Sequence, residues 1–326
     1  MSTLYPLKFK SISKETVWGG NRLQALWNKP FPENKKIGES WELSGIQGHL
    51  SVVSNGFLKG NNLEELVEIY MGELVGEKTY EQFGVEFPLL IKLIDATETL
   101  SVQVHPDDAT AIERHNAYGK TEMWYVLNAD PGAGVYVGFN RNLSAQELYT
   151  QIQNGTFQDT LHFEEVFEGS VFVIPAGRIH AIGKGVVLAE IQQTSDITYR
   201  IYDWGRENNP ATSRDMHLDM AIDVVDYRYH EQYKTPYKVS KNTPTNITSC
   251  PYFTANLLDI DHPIDRDFTR KDSFVIYMCL KDEVTLKYAQ GSEKFVKGES
   301  MLIPATIEEF TLSPAGNAKL LEVYID

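Results

Sequence analysis

Gly169-Ser-Val-Phe-Val-Ile-Pro-Ala-Gly-Arg-Ile-His-Ala-Ile-Gly183 is the stretch on which the fold turns. A glycine turn opens it, and Val171 to Ile174 reads as a short apolar strand. Pro175 lacks a ladder donor and Gly177 tolerates positive φ, so the strand stops and bends there. His180 follows the bend on a rigid element, flanked by Ile179, Ala181 and Ile182. Taken alone, such an imidazole is either a packed core histidine or a metal ligand.

The unit recurs near the C-terminus. Glu168-Gly-Ser-Val-Phe-Val-Ile-Pro-Ala-Gly177 and Lys297-Gly-Glu-Ser-Met-Leu-Ile-Pro-Ala-Thr306 share a glycine, small polar residues, an apolar strand and Ile-Pro-Ala. Two copies predict two related β-barrels in one chain. The second has Glu308 and Phe310 where the first has its histidine region, so it offers no equivalent ligand. Working outward, strands are expected over 87–94 (interrupted only by Lys92), 100–104, 123–127, 134–139, 186–192, 197–202 and 274–280. Helices interrupt this pattern. Asn62 with Glu65, and Ser144 with Glu147, are capping boxes, and Leu63, Leu66, Ile69, Tyr70 and Leu74 fall at helical spacing. A third helix is expected over 107–118, capped by Asp107 or Asp108 and stopped by Gly119, and a short one over 216–224. The expected fold is mostly β, two jelly-roll barrels with helical insertions at 61–82, 107–118 and 144–155. Residues 1–235 would form the catalytic domain and 236–326 a second, ligand-free one.

Composition narrows the partners. The chain has 326 residues, 42% hydrophobic and 11% aromatic, enough for real cores. Its net charge of −15 argues against nucleic acid and anionic membranes, yet permits a phosphorylated metabolite in a local cationic pocket. Cys250 and Cys279 form no motif, which sets aside a disulfide framework or a cysteine zinc site. With no long apolar run in 1–12 or elsewhere, a cytoplasmic protein is expected, monomeric or weakly dimeric.

Four residues of metal-ligand type gather on three predicted strands. Gln103 and His105 are an i, i+2 pair on one strand face, Glu122 opens the next strand, and His180 sits at the bend. Together they make a mixed N/O site suited to Zn2+, Mn2+, Fe2+ or Co2+. Arg200 is read either as an anion-binding group or as the partner of Asp196 or Asp203; Asp196, four residues earlier on a strand, would share its face and orient it. Trp41, Tyr125, Phe172 and Tyr199 are expected in barrel interiors, and Trp18 either there or lining a sugar pocket. His49, His115, His162, His217, His230 and His262 read as surface residues.

The spacing Gly169-x5-Pro175-x-Gly177-x2-His180 is that of the second cupin motif. Leu100-Ser-Val-Gln-Val-His-Pro-Asp107, Lys120-Thr-Glu-Met-Trp-Tyr125, the segment 174–181 and Gln193-Thr-Ser-Asp-Ile-Thr-Tyr-Arg-Ile-Tyr-Asp-Trp204 resemble, in order, the type I mannose-6-phosphate isomerases. Trp18-Gly19 and Gly38-Glu39-Ser40-Trp41 extend the likeness toward the N-terminus, and the short length is similar to the compact bacterial branch. The resemblance implies one Zn2+ per chain on His105, Glu122 and His180, with Gln103 as fourth ligand. It implies Arg200 as the active-site arginine and Lys120 in the same pocket. Thr121 replaces a proline of longer relatives, and the wall formed by residues 108–119 differs from theirs. The implied reaction interconverts mannose 6-phosphate and fructose 6-phosphate through an enediol, with Lys120, Arg200 and Asp196 on the sugar phosphate. Lys120, a carboxylate and a zinc-bound water compete as the base. A two-barrel Fe2+ dioxygenase and a non-catalytic sugar-phosphate-binding protein are the alternatives.

Overall fold

A strand that is apolar on both faces has to be covered on both, and Leu89–Asp95 shows how this chain does it. In the computed structural model, which describes residues 4–32 and 34–326, Leu89, Ile91 and Leu93 join one apolar cluster while Ile94 joins another. The neighbouring strands divide in the same way. Met123, Tyr125, Leu127, Val187, Ala189 and Ile191 fall on the first side, and Trp124, Val126, Val186 and Leu188 on the second. The period of two along a strand thus sorts one sequence into two cores.

These strands form a six-stranded antiparallel sheet in the order Ile12–Gly20, Ile37–Leu43, Leu89–Asp95, Val186–Gln193, Glu122–Ala129, Val171–Ile174. Across the second cluster lies a five-stranded sheet, ordered Tyr199–Tyr202, Val102–Val104, His180–Ile182, Gly134–Phe139, Leu161–Glu165. Another pair of sheets follows. Six strands run in the order Leu7–Lys8, Ser300–Ile303, Val275–Lys281, Ala318–Tyr324, Thr254–Ile260, Thr245–Ser249, and four in the order Ile264–Asp267, Glu309–Pro314, Glu283–Tyr288, Gly291–Val296. The two six-stranded sheets share an apolar cluster in which Ile91 and Met123 meet Ile276, Leu321 and Val323. The strand Leu7–Lys8 crosses to the second pair and lies against Ser300–Ile303.

The repeated unit is visible in the backbone. Val171–Ile174 and Ser300–Ile303 are both strands, each entered through a glycine with φ of 88°, Gly169 and Gly298. In each six-stranded sheet the repeat strand pairs with the strand three before it in sequence, Glu122–Ala129 or Val275–Lys281, and the order of four strands is the same in both.

The helices are more broken than their spacing predicts. The capping box of Asn62 and Glu65 starts Leu63–Tyr70, but Met71 turns left-handed at φ 48°. Leu74 therefore sits in a separate turn, Gly72–Val75, ahead of a third helix, Glu77–Phe83, and Ile69 is 65% exposed. The helix capped by Asp107 spans Asp108–His115 and ends at left-handed Asn116, not at Gly119. Ser144 and Glu147 form the expected box before Ala145–Gln153, and Leu218–Ile222 is the short helix of the polar connection. No helix among the described residues is long and apolar enough to cross a membrane.

The Pro-x-Gly bend is held at both peptide groups of Gly177. Its N–H donates to the His105 carbonyl at 2.9 Å and its carbonyl accepts from Asp226 at 2.7 Å, with φ at 84°. A β-carbon there would lie 2.8 Å from the Val224 carbonyl oxygen. Gly177→Ala is therefore expected to destabilise the chain by about 1–3 kcal/mol, read as an earlier midpoint in urea. An unchanged midpoint would show that the bend is not under this constraint.

Candidate active site and metal centre

Cross-strand register brings the distant segments together. Gln103 pairs with His180 on one side and with Arg200 on the other, so three predicted site residues lie on one rung of the five-stranded sheet. Glu122 comes from the opposite sheet, where it opens Glu122–Ala129 between Gln192 and Ile174. The ligand atoms of His105, Glu122 and His180 all lie within 4.8 Å of one another, and all three residues are buried. His180 approaches Glu122 Oε1 at 3.2 Å, and Gln103 Nε2 is 3.3 Å from His180 Nε2.

Each imidazole is oriented by a backbone carbonyl. His105 Nδ1 donates to Ile197 O at 2.8 Å and His180 Nδ1 to Arg178 O at 2.8 Å. That assignment leaves both Nε2 lone pairs facing the carboxylate, the tautomer a metal ligand requires. Burial, then the neighbouring Lys120 and His180, hold His105 well below the usual histidine range. Burial likewise pushes His180 down to about 3. Two neutral imidazoles and a carboxylate whose Oε1 is buried without a hydrogen-bond donor fit a divalent cation. The Lys120 ammonium acts as a stand-in cation, touching Glu122 Oε2 and lying 3.1 Å from His105 Nε2.

Lys120 also begins a chain of alternating charges that the sequence did not disclose. It lies 4.0 Å from Glu190, which meets Lys92 at 3.1 Å, and Lys92 is 3.7 Å from Glu39. Trp124 donates to Glu190 at 2.9 Å and Trp41 to Glu39 at 2.6 Å. Burial opposes charge on Glu190, but Lys120 and Lys92 win and hold it down at about 2. For Lys92 the same contest goes upward, Glu39 and Glu190 overcoming burial. Glu122 goes the other way: burial and the facing Glu190 raise it to about 7 despite Lys120. The only sequence signal for these groups is a charge inside an otherwise apolar strand, as at Lys92 and Glu190.

Lys120, Glu190, Lys92 and Glu39 border a cavity of about 200 Å³ that also reaches Trp18, Gln103, Asp196 and Arg200. Trp41 borders it too, with Lys14 Nζ 4.0 Å over its ring, so it is a cavity wall rather than barrel filling. Arg200 is not the ion-pair partner of a nearby aspartate. Its Nε donates to Ser101 Oγ at 3.1 Å and its Nη1 to Asp215 O at 2.6 Å. Asp203 is occupied by Arg206 and Arg214 at 2.7 and 2.6 Å. The expectation that Asp196 orients Arg200 is corrected: the strand starts only at Tyr199, and Asp196 stands exposed in the connection before it. His217, read as a surface residue, instead accepts the Arg200 N–H at 3.3 Å and is half-buried.

With Glu122 raised to about 7 and both histidines already neutral, ion uptake must displace a carboxyl proton below that pH. Affinity for a divalent probe such as Zn2+ or Co2+ is therefore expected to fall as pH drops below about 7. Calorimetry in buffers of different ionisation heat should find about one proton released per ion at pH 6 and close to none at pH 8. Equal release at both would contradict this assignment.

Comparison with known proteins agrees with the geometry. The family described as "Phosphomannose isomerase type I, catalytic domain" matches residues 6–131, and "Mannose-6-phosphate isomerase, cupin domain" matches residues 243–325. Mannose-6-phosphate isomerase ManA of Bacillus subtilis (strain 168) is 34% identical over 316 residues, covering 95% of this chain and 96% of the relative. A mannose-6-phosphate isomerase of Streptococcus mutans is 34% identical over 306 residues, covering 94% of each. The crystal structure of a Bacillus subtilis mannose 6-phosphate isomerase superposes with a TM-score of 0.88 at 30% identity, over 99% of this chain and 100% of that one. A structure from Archaeoglobus fulgidus at 23% identity and TM-score 0.80 shares the fold. Matched along nearly its whole length by these relatives, the chain belongs to the type I phosphomannose (mannose-6-phosphate) isomerases.

Proposed function

We propose that this chain interconverts mannose 6-phosphate and fructose 6-phosphate through an enediol, using one Zn2+ on His105, Glu122, His180 and Gln103. The observation that carries the reading is a buried His-Glu-His group joined, through Gln103 and Lys120, to a cavity holding an arginine, Arg200, with no carboxylate partner among the described residues. In a chain of net charge −15, that guanidinium is a local place for a sugar-phosphate anion. When bound, the ion would polarise a sugar oxygen.

The residues of the chain do the rest. Arg200, braced by Ser101 and the Asp215 carbonyl, meets negative charge developing on the substrate without having to reorganise. In its amine form Lys120 Nζ takes the proton from C2 of the aldose and returns it to C1, while the hydroxyl proton on O2 passes to O1. Glu190, held down at about 2, is too weak a base to take a carbon-bound proton. It positions Lys120 and Lys92 instead, while Trp18 and Trp41 wall the cavity and Asp196 borders its rim. We place this chemistry in residues 1–235 and give 236–326 a supporting role, backing the catalytic sheet through the shared apolar cluster. The cavity is lined by Glu39, Lys92, Glu190 and Arg200, a charged wall that suits a sugar phosphate better than the apolar substrate of a dioxygenase.

Arg200→Ala is expected to lower turnover by about 10²–10³-fold with zinc content near wild type. Loss of zinc in that variant would make the arginine structural. His180→Ala and Glu122→Ala should lose metal and activity together, and full zinc in either removes that residue from the ligand set. In deuterated water the protein should exchange hydrogen at C2 of mannose 6-phosphate; tight binding without exchange would mark a non-catalytic binder.

A further inference from the structure

Away from the catalytic cavity, a second concavity follows the seam between the two sheet pairs. A cavity of about 490 Å³ lies between residues 8–11, the helix Arg22–Trp27 and the turn 296–300. A smaller one of about 270 Å³ shares Trp27 and Lys297 with it and continues toward Lys281 and Lys319. Six lysines border the two: Lys8, Lys10, Lys29, Lys281, Lys297 and Lys319. Three of them are neutralised, Lys8 by Glu299 at 3.0 Å, Lys29 by Glu42 at 2.5 Å and Lys319 by Glu168 at 2.9 Å. Among the described residues, Lys10, Lys281 and Lys297 have no carboxylate partner. Lys297 instead lies 4.5 Å over the Trp27 ring. Ser300 Oγ, in the same wall, is buried without a hydrogen-bond partner.

A chain with 45 acidic and 30 basic side chains has no general reason to gather three uncompensated ammonium groups along one groove. Ammonium groups close together repel, and a bound anion removes that repulsion. The groove is concave and sized for a small molecule, and the chain's net charge of −15 disfavours a polyanionic macromolecule. We propose that this seam is a second ligand site, which takes a phosphorylated small molecule on Lys10, Lys281 and Lys297. It lies on the reverse face of a catalytic strand. In Ile37–Leu43, Glu39 and Trp41 border the catalytic cavity, while Glu42, which alternates with them along the strand, holds Lys29 and accepts from Ser40 at 2.5 Å.

Titration calorimetry on the full chain tests this with three probes: inorganic phosphate, glucose 1-phosphate and ADP. The Arg200→Ala background weakens anion binding in the catalytic cavity. In that background at least one probe should still bind, and adding Lys10→Ala, Lys281→Ala and Lys297→Ala should weaken it roughly tenfold per lost ammonium. The ranking of the probes identifies whether phosphate alone or the attached sugar or nucleoside is read. Should the triple variant unfold, Lys10→Gln with Lys281→Gln, both exposed side chains, repeats the comparison. Absence of binding in the Arg200→Ala chain, or binding indifferent to the lysines, overturns the proposal. Isomerase activity of the lysine variants is a separate readout, so failure here is distinguishable from failure of the catalytic assignment.

Discussion

Ionisable side chains between two sheets survive only if each has an opposite charge at hand, because removing a charge from water costs several kcal/mol or more. Glu39, Lys92, Glu190, Lys120 and Glu122 meet that condition as an alternating chain across the six-stranded sheet. The chain ends at Glu122, one of the three buried residues that could hold a metal ion. Its members hold one another in place, and removing one leaves its neighbour buried and unpaired. The geometry of the cation site and the electrostatics of the substrate cavity are thus one problem with one solution.

The second pair of sheets contains the same solution in closed form. Glu190 stands in register with Lys92 and Trp124 on its two neighbouring strands, and Glu322 stands in register with Asn256 and Tyr277. Glu322 takes two bonds from Arg266 at 2.9 Å, one from Tyr277 at 2.5 Å and one from Asn256 at 2.9 Å. Every lone pair of that carboxylate is engaged, and no second cation stands between it and a ligand set. Burial and Glu322 raise the Tyr277 hydroxyl well above its usual range, so the network is locked in its neutral-tyrosine form. An identical strand order therefore supports a group that could hold a metal ion in one half and a fully hydrogen-bonded carboxylate in the other.

What distinguishes the halves is where the freedom lies. In the first, each histidine is pinned through Nδ1 to a backbone carbonyl, and Arg200 is held by a hydroxyl and a carbonyl rather than a carboxylate. Guanidinium charge is thereby left for something outside the chain, and the two imidazole Nε2 atoms meet the side chains of Lys120 and Gln103. Preorganisation of this kind places donors where charge will develop and avoids the cost of moving them during reaction.

Much of this was legible in the sequence. Strand-turn units such as Val171–Ile174 with Pro175 and Gly177 and the two capping boxes are local patterns, set by backbone sterics, period and residue chemistry. The break at Met71 was not legible, since helical spacing continues through it and only packing rejects Ile69 from the core. Nor was the partnering of Arg200: sequence proximity suggested Asp196 or Asp203, whereas Asp203 is taken by arginines on later turns and Asp196 lies off the strand. Residue types and spacings determined which groups this chain can offer to a metal and an anion. Which charges neutralise one another, and which are left over, depends on the register of strands far apart in the chain. That register is a property of the assembled sheets, because a cross-strand neighbour such as Gln103 for His180 leaves no trace in either segment alone.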